Sequence, residues 1–217
     1  MASSGIKRLL KKILFHDVWL ARRDARILAE WERSGRPVPP PHVAKQRAIA
    51  AAAKRSGALI LIETGTYLGD MVGAMRRRFR EIHSIELSDE LARKAAGRFE
   101  GEPHIHIHQG DSGQVLPSIL AGVREPCVLW LDGHFSGGIT ARASEETPIQ
   151  RELKTVLAHP VKGHVVLIDD ARFFNGENDY PTLAKIEAQI RAARPDWKVV
   201  VKDDIIRAGS EKCMADS

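Results

Sequence analysis

Apolar residues open the chain at helical spacing. Ile6, Leu9, Leu10, Ile13 and Leu14 recur every three or four positions, with Lys7, Arg8, Lys11 and Lys12 between them. This spacing predicts a basic amphipathic helix that continues to about Arg33. The stretch GRPVPPP, residues 35–41, then predicts a stiff, extended linker. The alanine-rich residues 42–56 predict a second helix. From residue 58 the pattern changes to short apolar runs alternating with helical stretches. Strands are predicted near 58–63, 82–86, 104–108, 127–131 and 164–168, and helices near 69–79, 88–98, 112–120, 147–158 and 181–193.

Local signals mark several helix starts. Ser88 suits a cap, Thr147-Pro148-Ile149-Gln150 reads as a capping box with proline at the first helical position, and Pro181 suits a start as well. Ile149, Leu153, Val156 and Leu157 form one apolar stripe on the fourth of these helices. At the C-terminal end, 197–201 and 205–208 are two more short strands joined by Lys202-Asp203-Asp204. So short a joint permits only an antiparallel pair. The expected architecture is α/β: a doubly wound, seven-stranded sheet of five parallel strands plus a C-terminal antiparallel hairpin. Its domain would span 58–217, with 1–57 as an N-terminal helical extension. No internal repeat or low-complexity segment interrupts it.

One unit organises the rest. Residues 58–86 read ALILIETGTYLGDMVGAMRRRFREIHSIE: strand, glycine turn, helix, then a strand ending in an acid. Glycines let a backbone pass close to a ligand at a helix N-terminus, where free N–H groups favour oxygen-rich groups. An acid closing the second strand can accept from both hydroxyls of a ribose. In an open parallel sheet, ligands collect beyond the C-terminal ends of the strands. Those ends carry Glu63, Glu86, Asp111, Asp132 and the pair Asp169-Asp170, so every parallel strand delivers a carboxylate to one edge. Glu63 lies near the turn, Glu86 suits ribose hydroxyls, and Asp111 with Ser112 suits an amino group on a base.

Charge narrows the partners. The chain of 217 residues has a net charge of +5, but residues 1–36 hold nine Lys/Arg against four Asp/Glu while the remainder holds 24 of each. The basic excess is N-terminal rather than spread over the predicted ligand edge, which argues against a polynucleotide substrate. The first helix therefore has three readings: a peripheral membrane anchor, a homo-oligomer contact through residues 1–36, or a helix packed on its own domain. No apolar run approaches the ~20 residues of a membrane span. Two distant cysteines, Cys127 and Cys213, and no signal-peptide pattern place the chain in a reducing, cytoplasmic setting, with peripheral membrane contact left open.

The succession LIETGTYLGD, HSIELSDE, HQGDSGQVL, VLWLDGHFSGG and HVVLIDDARFF resembles the class I S-adenosylmethionine-dependent methyltransferases, over about residues 58–208. The resemblance implies a Rossmann-like fold and S-adenosylmethionine as cofactor. Glu63 and Gly65 would line the methionine moiety, Glu86 the ribose, and Asp111 with Ser112 the adenine. Thr66, Tyr67, Gly69, Leu87 and Asp132 would be further cofactor contacts. The turn departs from the family's closely spaced glycine run, since only Gly65 and Gly69 remain.

Asp132, Asp169 and Asp170 suggest a closer likeness, to metal-dependent O-methyltransferases acting on catechols and on sugars of macrolide antibiotics. Three clustered carboxylates repel and call for a cation, with Mg²⁺ expected. The alternative is a metal-free site with one acid as base. Those relatives often carry Asp-Gly-x-His-x-Tyr after strand 4; here Asp132-Gly133-His134 is one residue tighter. His134 is the first candidate base and Asp132 the second. Arg172 could bind an anionic substrate group or neutralise the acids. The expected acceptor is a hydroxyl of a small molecule or glycan. Two other readings remain: an RNA or protein methyltransferase, and a non-catalytic cofactor-binding module docked through its N-terminal helix.

Three further features stand apart. His104, His106 and His108 share one face of the third strand and read as a polar strand face, because imidazoles in a line seldom converge on one ion. Residues 135–146 and 173–180 follow strands at the ligand edge and read as substrate lids or ordinary surface loops. Trp19, Trp31, Trp130 and Trp197 are expected to be packing residues.

Overall fold

The computed structural model describes residues 2–133 and 147–214, with side chains from residue 18 onward. It divides into two compact units, Met1–Lys45 and Gln46–Ser217. In the first, the helix α1 (Ala2–Arg33) packs Leu28 and Trp31 against Ala44. The segment expected to be extended folds back instead: Arg36 N–H donates to the Trp31 carbonyl (3.0 Å) and the Trp31 indole N–H to the Pro37 carbonyl (2.8 Å). A buried indole needs such an acceptor for its N–H. Trp19 is no packing residue. It is 54% exposed, with the Arg23 guanidinium over its ring.

The helix α2 (His42–Ser56) crosses the division, which falls ahead of the 57/58 boundary drawn from sequence. Its Ala48, Ile49 and Ala52 are buried in the second unit's core. There the predicted alternation forms in order: β1 (Ile60–Thr64), α3 (Asp70–Met75), β2 (Glu81–Glu86), α4 (Asp89–Arg98), β3 (Ile105–Gln109), α5 (Ser112–Gly122), β4 (Cys127–Leu131), α6 (Ile149–Ala158), β5 (Val165–Ile168), α7 (Leu183–Ala193), β6 (Trp197–Lys202), β7 (Ile205–Ser210) and α8 (Glu211–Met214).

The sheet order is β3-β2-β1-β4-β5-β7-β6. The first five of these are parallel, and β7 runs antiparallel to both β5 and β6. The seven-stranded, doubly wound expectation is met. Side chains alternate across the sheet with period two. Ile60, Ile62, Leu129 and Leu131 join Leu116, Leu153 and Val156 on one face. Leu61, Val128, Trp130 and Leu167 join Ile49, Val72 and Phe99 on the other. Among the described residues, no helix is long and apolar enough to cross a membrane.

Helix starts show where local signals need refinement. Ser88 caps α4 as expected, accepting from Leu91 N–H (3.4 Å). The capping box at Thr147 does not form: the cap is Pro148 and the Thr147 hydroxyl accepts from Ile149 N–H (3.3 Å). Gln150 is then one position too early for a box. For α7 the cap is Thr182 rather than Pro181, with its hydroxyl accepting from Lys185 N–H (3.2 Å).

Candidate functional site

Strand order reverses at β1, between β2 and β4, so a crevice opens above their C-terminal ends. The glycine turn forms its floor. Gly65 and Thr66 N–H groups both donate to the Ile85 carbonyl, at 2.9 and 3.2 Å. Gly65 has φ +85°, and a Cβ there would come within 2.5 Å of the Asp132 carbonyl oxygen. Only glycine fits, because side-chain bearing residues resist that φ and the neighbour is backbone. Tyr67 follows in the left-handed region at φ +50°, as does Asp170 at φ +55° across the crevice. Backbone strain of ~1–3 kcal/mol per residue persists only where the surroundings enforce it.

Two acids hold this turn. Glu86, at the end of β2, accepts from Tyr67 N–H (2.7 Å) and Ser88 N–H (2.9 Å), one on each oxygen. Each carboxylate oxygen has a second lone pair for a ligand hydroxyl. Glu63 is 2% exposed and accepts from the Ser84 hydroxyl (2.5 Å), which in turn meets the Thr66 hydroxyl (2.6 Å). Burial pushes its carboxyl up to about 8, with Asp132 and Glu86 adding like-charge repulsion and the Ser84 bond opposing it.

Asp111 stands at the start of α5 as its cap: Oδ1 accepts from Gly113 N–H (2.8 Å) and Oδ2 pairs with Arg151 (3.1 Å). Ser112 beside it is buried. Leu87 presents its carbonyl to the Gln109 amide (3.1 Å).

The β4 and β5 ends bring the three aspartates together. Asp132 N–H donates to the Thr64 carbonyl (3.1 Å) and Asp169 N–H to the Leu131 carbonyl (3.1 Å), so the ladder itself sets their positions. Ligand oxygens of Asp132, Asp169 and Asp170 lie within 4.8 Å of one another, the latter two side chains buried. All three donors are hard oxygen, the chemistry of a Mg²⁺-type ion. Arg172 already balances part of this charge, pairing with Asp170 (2.8 Å) and with Asp204 of the β6–β7 turn. Desolvation works against its charge, yet the two acids hold the guanidinium above its ordinary value. Its plane lies over the Phe173 ring at 4.4 Å.

Two residues at this edge escaped the sequence reading. Glu152 lies on the apolar stripe of α6, three positions after Ile149, and is 1% exposed. That placement of an acid on a buried face was the available signal. Its Oε1 has no hydrogen-bond partner among the described residues. Burial pushes the carboxyl up to about 7, against the pull of the Ser112 and Thr64 hydroxyls. A Cβ on Gly133 would lie 3.1 Å from Glu152 Oε1 and 3.1 Å from Thr64 Oγ1, a tight approach that these side chains would have to relieve by a small shift. With Asp132, Asp169, Phe174 and Tyr180, Glu152 lines a small cleft. The second is Asp204, which accepts from Arg172 N–H (2.9 Å) and anchors it from the β6–β7 turn beside the end of β5. His134 and the loop 135–146 lie outside the described residues. The second loop, 173–180, is tied down by the Asn175–Thr182 bridge and by Leu183 N–H to the Phe174 carbonyl (3.1 Å).

No protein-family model matches this chain, and no curated protein matches it in sequence. Solved structures do resemble it. An O-methyltransferase from Bacillus cereus in complex with SAH is 16% identical, at TM-score 0.55 over 87% of this chain and 90% of that one. The SAH-bound methyltransferase PaMTH1 of Podospora anserina is 14% identical, at TM-score 0.56 over 85% and 87%. The O-methyltransferase TomG of Streptomyces achromogenes, involved in tomaymycin synthesis and solved with SAM, is 17% identical, at TM-score 0.55 over 85% and 87%. With the sheet order and the glycine turn above, these likenesses establish that the chain has the class I methyltransferase fold.

Proposed function

We propose that this protein is an S-adenosylmethionine-dependent methyltransferase acting on a hydroxyl of a small molecule or glycan, with a divalent cation at Asp132, Asp169 and Asp170. The observation that carries the reading is the convergence of Glu63, Glu86 and the three aspartates above the sheet's switch point, where the Gly65 backbone passes against Asp132. Methyl transfer from a sulfonium needs a nucleophile in line and a route for its proton.

The chain's own groups divide that work. Glu86 accepts from ribose hydroxyls while its bonds to Tyr67 and Ser88 fix its orientation. Glu63 faces a cationic nucleoside from a buried position, where ionisation is favoured only when a positive charge is near. His134 is the first candidate to accept the acceptor's proton, with Asp132 as the alternative base. Arg172, held by Asp170 and Asp204, limits the negative charge of the aspartates. A divalent ion on these three carboxylates would lower the pKa of the acceptor hydroxyl.

Calorimetric titration with S-adenosylmethionine, followed by a turnover screen over hydroxylated acceptors with and without chelator, tests the reading. Binding of the nucleoside, and turnover lost in chelator and restored by Mg²⁺, are expected. Full turnover in excess chelator removes the metal; no nucleoside binding removes the function. Residues 1–36 are proposed as an address or an oligomer contact, so their deletion should leave turnover intact and change only location or assembly.

A further inference from the structure

We propose that Glu81, His83 and His106 form a second metal site, for a divalent transition ion of the Zn²⁺ class, with His108 as the residue that orients His83. This site stands on a different observation from methyl transfer and does not depend on it. The row of histidines on β3 looked inert because three imidazoles in a line do not converge. The sheet changes that by pairing β3 with β2 in a register that sets His83 opposite His106. Glu81 lies two residues before His83, and therefore on the same face. His104 takes no part; it meets the Arg76 carbonyl at 2.9 Å instead.

The distances suit a small ion. His83 Nε2 is 2.9 Å from Glu81 Oε1 and His106 Nε2 is 3.8 Å from the same oxygen. One ligand atom from each of the three lies within 4.8 Å of the others. A tetrahedral ion with bonds of ~2.0–2.1 Å separates its ligand atoms by about 3.3 Å. The two measured separations bracket that value, so small side-chain rotations suffice. Imidazole with carboxylate selects Zn²⁺, Co²⁺, Ni²⁺ or Cu²⁺ over Mg²⁺. Side-chain exposures of 37% for Glu81, 16% for His83 and 42% for His106 leave a path for the ion and room for water in the remaining position.

The outer contacts are those a metal site uses. His83 Nδ1 lies 3.0 Å from His108 Nε2. With no ion, His108 Nε2–H donates to His83 Nδ1 and His83 Nε2–H donates to Glu81. With an ion on Nε2, the His83 proton resides on Nδ1 and donates to His108, whose own proton moves to Nδ1. Both rings stay neutral and only their tautomers change. Such a partner fixes the ligand's orientation. The His83 ring stacks on each of the other two, at 4.8 Å from His106 and 5.3 Å from His108, and those two lie 6.5 Å from each other. β3 is the edge of the sheet, so an ion here would clip that edge to β2 and raise stability by mass action.

The test is competition for Zn²⁺ between the chelator-stripped full chain and a chromophoric chelator, at neutral pH. Wild type is expected to bind one Zn²⁺ at this site, and H83A/H106A to bind about 100-fold more weakly. H108A should lose about 10-fold. A loss under 10-fold in H83A/H106A, including the case where neither protein binds, overturns the proposal. Because His106 is half-exposed on an edge strand, H106Q serves as the conservative variant. Zn²⁺ should raise the melting temperature of wild type and leave that of H106Q unchanged; equal shifts also overturn it.

Discussion

Ionisable groups are buried at both edges of the parallel sheet, and they are treated in opposite ways. At the N-terminal edge, Cys127 N–H donates to His164 Nδ1 (3.1 Å), His164 Nε2 meets His159 Nδ1 (2.9 Å), and His159 Nε2 meets the Leu120 carbonyl (2.9 Å). A backbone donor at one end and a carbonyl at the other permit one set of tautomers. Each ring carries one proton and every nitrogen is used. Burial holds His164 down to about 4 and pushes the Cys127 thiol up to about 12. At the C-terminal edge the described residues are arranged differently. Glu63 and Glu152 are held from ionising, Glu152 Oε1 has no hydrogen-bond partner among the described residues, and three aspartates share one space. A closed network stabilises and binds nothing; an open one is where a ligand gains by supplying the missing charge or hydrogen bond.

The strongest way to break this contrast is G65A. Its Cβ would meet the Asp132 carbonyl oxygen at 2.5 Å in a backbone conformation that alanine resists. About 3 kcal/mol of strain or displacement corresponds to about 100-fold weaker nucleoside binding, measured by calorimetry. H164A should act on the other edge. It strips a partner from the Cys127 N–H and from His159 and leaves a cavity, costing ~2–4 kcal/mol. A melting temperature lower by about 10 °C is expected, with nucleoside affinity unchanged. If affinity falls as well, the two edges are not separate in function.

The two edges also carry opposite pH signatures. A histidine held near 4 in the fold lowers stability as pH falls from its ordinary 6.5 toward 4, because the unfolded chain takes up the proton first. A carboxyl held near 8 lowers stability as pH rises from 4.5 toward 8, because the unfolded chain releases its proton first. Melting curves of the ligand-free chain should therefore show E63Q relieving the alkaline loss only. S-adenosylmethionine affinity should rise about 10-fold between pH 6.5 and 8.5 in wild type, as the cation draws Glu63 into its charged form, and stay flat in E63Q. A wild-type affinity that does not move with pH would detach Glu63 from the cation. The smallest effect belongs to E152Q, which keeps shape and removes the titration near 7. A gain of ~1 kcal/mol at pH 8.5, read as a rise of about 3 °C in melting temperature, is expected.

The sequence by itself determined the layered fold and the edge on which the acids gather. Both follow from local periodicity: apolar runs of strand length, helical stripes between them, and an acid at or just beyond the end of each parallel strand, from Glu63 to Asp169-Asp170. Gly65 was legible too, since a glycine directly after a strand and before a helix signals a backbone that needs φ above zero. Helix starts were read less well at Thr147 and Pro181, because which residue ends outside the helix is settled by one or two hydrogen bonds. Tertiary structure alone decided the groupings across elements. His83 meets His106 only through the β2–β3 register, Glu152 meets Thr64 and Ser112 only where α6 packs on the sheet, and Arg172 finds Asp204 only because β7 lies beside β5. A single chain reads out what each segment is; distances between segments are set by packing, and chemistry that needs two segments at 3 Å is decided there.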